Sequence, residues 1–156
     1  MRLYHGSNTE IETIDLSRGR QGKDFGSGFY TSADYMQAVE FTSNVIRREG
    51  KGIPTVTSFE FDESAFEKLN VKRFEGYTNE WAEFILANRQ NDTGRPIHSY
   101  DIVIGPIADD SVGVQIRRLM RGYISIDSFL EEIKYCKITI QYFFGTEESI
   151  KYLKKL

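Results

Sequence analysis

The spacing of apolar residues changes several times along this chain, and each change marks an element. Arg2 to His5 predicts a short strand, and the segment from there to Lys23 is a polar loop anchored only by Ile11 and Ile14. Phe25-Gly26-Ser27-Gly28 is a flexible turn before a second strand, Phe29-Tyr30-Thr31. From Ala33 to Arg48 the apolar positions Ala38, Phe41, Val45 and Ile46 suit a helix. Residues 53–61 and 69–74 alternate, or nearly so, as half-buried strands do, with a turn or helical bend across 62–68. Trp81, Phe84, Ile85 and Asn88 predict a helix capped by Asn79, and Asp101-Ile-Val-Ile-Gly-Pro is an apolar strand ended by a breaker. Helices follow near 111–121 and from Ser125 to Tyr135, then a strand over 137–144 and a last helix, capped by Thr146, that carries Ile150 and Leu153.

Strands and helices succeed one another without regular alternation, which predicts an α+β fold rather than a doubly wound parallel sheet. The glycines of Gly22-Lys-Asp-Phe-Gly-Ser-Gly precede a strand instead of joining a strand to a helix. The dinucleotide-binding fingerprint of dehydrogenases is therefore absent. With 156 residues and no repeat, linker or low-complexity segment, the chain is expected to form one domain, 1–156. An aromatic share of 13% points to a sheet-rich core or to a pocket that stacks flat ligands.

Charge and cysteine content narrow the function classes. A net charge of -3 provides no global positive field for a polyanion, although Arg18, Arg20 and Lys23 form a local basic group able to meet a diphosphate or an RNA strand. The single cysteine, Cys136, excludes an internal disulfide framework and reads as a small core residue. A reducing, cytoplasmic setting fits, since the start Met1 to His5 has no signal-peptide core and no stretch approaches a membrane span. With 2 histidines in all, a metal site is not expected, and His98, without partners at a useful spacing, reads as a surface residue.

The other polar candidates have plain structural readings. Asp101, Asp109 and Asp110 flank an apolar strand, where a paired-carboxylate hydrolase is conceivable. Asp109-Asp110 fits better as the start of the next helix. Glu80-Trp81 and Asn88-Arg89 either line an acceptor cleft or decorate a helix. His5 beside glycine is by itself a turn or core residue, Tyr30 and Phe41 are core rings, and Gln141 is an edge-strand polar residue.

Taken together, three segments carry a more specific pattern: Leu3-Tyr4-His5-Gly6-Ser7, Phe25-Gly-Ser-Gly-Phe-Tyr30-Thr-Ser32, and Ile140-Gln141-Tyr142-Phe143-Phe144. In this order, on three strand-like stretches, they resemble the ADP-ribosyltransferase superfamily. The likeness is to the His-Tyr-Glu branch that includes diphtheria toxin and the poly(ADP-ribose) polymerases, and within it to short bacterial members. It spans nearly the whole chain and implies a split β-sandwich, two packed and mostly antiparallel sheets with flanking helices. It also implies NAD as a substrate. His5 and Gly6 would then hold a ribose hydroxyl and the nicotinamide amide, with Ser7 and Thr31 beside them, while Tyr30 and Phe41, eleven residues apart, would sandwich the nicotinamide ring. The catalytic set carried over is His5, Tyr30 and Gln141. The family's third-strand glutamate, which steadies the positive charge of the departing ribosyl group, is replaced by Gln141, which keeps a hydrogen bond without the charge.

The resemblance thus implies a mono-ADP-ribosyltransferase acting on a protein or nucleic-acid acceptor, acting as the toxin of a toxin–antitoxin or phage-defence module with an antitoxin partner. The lost glutamate motivates an alternative, a degenerate module that binds NAD or ADP-ribose without transfer. An NAD-dependent RNA 2′-phosphotransferase on a related fold ranks below both, because the basic residues it needs for its phosphate are not evident.

Overall fold

A computed structural model describes residues 1–156. Two sheets form the frame. The first pairs β1 (Arg2–Ser7) with β3 (Thr55–Phe61) and β3 with β7 (Leu153–Lys155), all antiparallel. The second has the order β2 (Phe29–Thr31), β6 (Ile140–Phe144), β5 (Ile102–Pro106), β4 (Val71–Arg73), and only its β4–β5 pair is parallel. The expected α+β architecture of two mostly antiparallel sheets with helices is observed.

Strand alternation produces two cores. Leu3, Phe61, Ile102, Ile104 and Phe144 point between the sheets, while Tyr30, Val103 and Phe143, one position out of phase with them, point to the far face of the second sheet. That far face is covered by α3 (Asn79–Arg89), α4 (Asp110–Met120) and α5 (Ile126–Ile133), which contribute Trp81, Ile85, Val112, Ile116, Phe129 and Ile133. The helix α1 (Tyr35–Glu49) lies on the first sheet, and its capping residue Asp34 accepts from the Met36 amide at 2.9 Å. Gly6 is what lets α1 approach, since a Cβ there would stand 2.0 Å from the Ala38 carbonyl oxygen. Two short helices, α2 (Ala65–Lys68) and α6 (Glu147–Ile150), complete the set.

Several boundaries differ from expectation. The third strand begins at Thr55 rather than at residue 53, because Pro54 has no N–H for a ladder and Ile53 is exposed. The cap of α3 is Thr78, whose hydroxyl accepts from the Trp81 amide at 3.1 Å, and Asn79 is already helical. Leu153 belongs to β7 rather than to the last helix, and β6 starts at Ile140 rather than 137. No helix is long and apolar enough to cross a membrane.

Candidate active site

The two sheets meet where β1 passes β2. The Tyr4 and Ser32 backbones exchange hydrogen bonds of 2.8 and 2.9 Å, and this bridge brings His5 against Tyr30. Along an antiparallel strand, backbone groups face alternate edges. Tyr4 turns its N–H and C=O toward β2, so Gly6, two residues on, presents its own groups to the same edge, just beyond the bridge.

A cleft opens at that edge. One cavity of about 550 Å³ is lined by His5, Gly6, Ser7, Tyr30 and Phe41, together with the basic side chains Arg18, Arg20, Lys23 and Arg48. A second, of about 240 Å³, shares Lys23, Tyr30 and Phe41 with the first and ends at Gln141, Asp109 and Arg89. Three segments far apart in sequence therefore converge on one continuous concave surface, at the split between the sheets.

Geometry fixes the chemical state of each group. The Nδ1 of His5 lies 2.7 Å from the Tyr30 carbonyl oxygen, which can only accept, so Nδ1 carries the proton and Nε2 keeps its lone pair. Burial lowers the imidazole to about 4, against the opposing effect of that hydrogen bond, so the ring is neutral near pH 7 and stacks on Phe29 at 4.2 Å. A neutral imidazole with Nδ1 occupied offers the cleft one acceptor, suited to a ligand hydroxyl.

Tyr30 offers only its ring. Its hydroxyl accepts from the Phe25 amide at 3.0 Å and donates to the Gly26 carbonyl at 2.7 Å, and burial with the nearby Asp24 carboxylate pushes the phenol well above its ordinary value. The Tyr30 hydroxyl therefore stays protonated near neutral pH and is engaged within the fold. Phe41, half-buried on α1, supplies the second ring.

Gln141 is 9% exposed, lines the smaller cavity, and its side-chain amide makes no hydrogen bond within the protein. Its amide atoms are not sealed from solvent, so water can pair with them until a ligand does. Beside it, burial and then the neighbouring Asp110 hold the Asp109 carboxyl above the usual carboxylate range.

The floor of the smaller cavity is braced by an ion pair. Arg89 Nε donates to Asp24 Oδ1 at 2.5 Å, Asp24 Oδ2 accepts from the Ala108 amide at 2.6 Å, and Arg89 Nη2 donates to the Ala108 carbonyl at 2.8 Å. This closed ring ties the Gly22–Phe25 segment to α3 and to the turn before α4, and so holds the loop that carries Lys23.

Of the residues expected at the site, His5, Gly6, Ser7, Tyr30, Phe41 and Gln141 line the cleft. Thr31 does not. It follows Tyr30 on a strand and so points to the opposite face, where its hydroxyl donates to the Tyr142 carbonyl at 3.1 Å. His98 is not a surface residue: Nε2 donates to the Phe25 carbonyl at 2.6 Å, Nδ1 accepts from the Tyr100 amide at 3.1 Å, and the ring packs on Phe84. Trp81 is core, its indole N–H bonded to the Pro106 carbonyl at 2.7 Å, and Glu80 pairs with Lys72 away from the cleft. Asn88 is buried and lines a separate cavity of about 460 Å³.

Sequence reasoning missed Asp24, Arg48 and the cleft position of Asp109. Arg48 was legible in principle, since it lies seven residues, about two helical turns, after Phe41 and so on the same face of α1. Asp24 gave no local signal, because its partners stand at positions 89 and 108.

The profile of the family described as "Protein of unknown function (DUF3990)" matches residues 1–155, and the chain belongs to that family. No curated protein and no solved structure matches it.

Proposed function

We propose that this protein is an ADP-ribosyltransferase with a split β-sandwich of that class, and that it binds NAD in the cleft and transfers a single ADP-ribose to a protein or nucleic-acid acceptor. The observation that carries the reading is the convergence of the Tyr30 and Phe41 rings around one cavity with the Gln141 amide, which opens onto that cavity and bonds to no other protein group. Rings suit a flat nicotinamide, and a free amide suits the adjoining ribose. His5 Nε2 accepts from a ribose hydroxyl, the Gly6 backbone meets the nicotinamide amide, and the basic wall of Arg18, Arg20 and Arg48 receives the diphosphate.

In this arrangement the glycosidic bond to nicotinamide breaks, nicotinamide leaves with the bonding electrons, and Gln141 holds the ribose while positive charge develops on it. An acceptor oxygen or nitrogen then bonds to the ribose carbon and releases its proton to water. Incubating the protein with labelled NAD and cell lysate tests this: label on a macromolecule together with free nicotinamide supports transfer, and its absence under saturating NAD removes it.

A second reading, binding of NAD or ADP-ribose without transfer, is favoured by one observation, that position 141 has no charge to offer the ribosyl cation. Saturable binding without nicotinamide release distinguishes it. As the toxin of a toxin–antitoxin or phage-defence module, the protein would have an antitoxin partner that blocks this same cleft.

A further inference from the structure

The clamp formed by Tyr30 and Phe41 already holds a cation. The Lys23 ammonium stands 4.4 Å from the centroid of the Tyr30 ring and 5.4 Å from that of Phe41, in the space assigned above to the positively charged nicotinamide ring. Ring faces attract it there and the nearby Asp24 carboxylate favours its charge, yet it forms no ion pair with any carboxylate, and the charges of Arg48 and Arg20 oppose it. Burial, with Arg48, lowers the amine to about 8, which marks the position as one the ammonium occupies at a cost.

Two cations cannot share the slot. A pyridinium can stack only after the lysine withdraws, and the space into which the lysine can swing is the larger cavity. Its lining sets Arg18, Arg20, Arg48 and Lys51 against Asp15 and Glu49, a net positive surface that a further anion would make favourable for the ammonium. A dinucleotide brings that anion with it. Its diphosphate would lie where the withdrawn ammonium arrives, and the two charges would then pair.

We propose that Lys23 determines specificity in this cleft: its ammonium plugs the Tyr30–Phe41 clamp until the diphosphate of an incoming dinucleotide draws it out, so that nicotinamide compounds lacking a diphosphate are excluded. For the natural ligand this rests on the NAD reading, whereas the plug itself does not. A consequence is weak product inhibition, since released nicotinamide meets a clamp its own cation has refilled.

Titration of 1-methylnicotinamide and of NAD into the wild type, Lys23→Met, Lys23→Gln and Lys23→Arg tests it, with melting curves checking that each variant folds. 1-Methylnicotinamide should bind Lys23→Met and Lys23→Gln at least tenfold more tightly than wild type, Lys23→Arg should still exclude it, and the preference for NAD should fall at least tenfold in the uncharged variants. Equal 1-methylnicotinamide affinity in wild type and both uncharged variants overturns the proposal. Gained 1-methylnicotinamide binding with no NAD binding to any form would leave the plug standing and remove the dinucleotide reading.

Discussion

The His5 imidazole donates from Nδ1 to the Tyr30 carbonyl oxygen at 2.7 Å, joining the strand of one sheet to the strand of the other at the mouth of the cleft. The bond fixes the tautomer and so leaves Nε2 as an acceptor. Burial that lowers the imidazole from 6.5 to about 4 makes the protonated form unwelcome in the folded state. The stability associated with neutral His5 is therefore complete above pH 6.5 and lost as pH falls toward 4, a change of about 3 kcal/mol. Urea denaturation of wild type and His5→Asn across pH 4 to 7 measures it, and parallel pH curves for the two proteins would refute the assignment.

Gln141 sets the electrostatics of the ribose site. Replacing it with glutamate restores a negative charge beside the developing cation, and nicotinamide release from NAD should rise about 10- to 100-fold. Gln141→Ala should lower it about tenfold by removing the hydrogen bond. Single-turnover assays of nicotinamide release read both, and unchanged rates in both variants would remove position 141 from the chemistry.

Tyr30 separates scaffold from ligand binding. Tyr30→Phe keeps the ring but frees the Phe25 amide and the Gly26 carbonyl, so it should cost about 1–2 kcal/mol of stability and leave NAD affinity within about threefold. Tyr30→Ala should lose both. A Tyr30→Phe variant of normal stability with abolished NAD binding would show that the hydroxyl, not the ring, meets the ligand.

Asp24→Ala leaves the Arg89 guanidinium without its carboxylate in a wall where the two side chains are 8% and 19% exposed. Breaking such a pair costs about 3–5 kcal/mol, and the loop carrying Lys23 should loosen with it. Calorimetric melting measures the loss. A melting temperature equal to that of wild type would mean that the pair does not brace the cleft.

Much of the frame was readable from local pattern, because alternation and helical spacing are properties of neighbouring residues. Leu3 against His5 and Gly6 announced β1, and Ala38, Phe41 and Val45 announced α1. What failed was set by distance or by brevity. The three residues of β7 follow a four-residue helix too closely for either period to register, so Leu153 reads from sequence as part of that helix. His98 looked idle because its partner, the Phe25 carbonyl, lies seventy-three positions away. At the site, the order of His5, Tyr30 and Gln141 along three strands was legible. Thr31, expected to meet the ligand, instead faces the other side of its strand, and no local pattern reveals that Lys23 lies over both rings.

The most direct measurement is isothermal titration of NAD into wild type, His5→Ala and Tyr30→Ala at pH 7. Saturable one-to-one binding to wild type, weakened at least tenfold in each variant, is expected if the split between the sheets is the NAD site. Equal affinity in all three, or no binding to wild type, would contradict it.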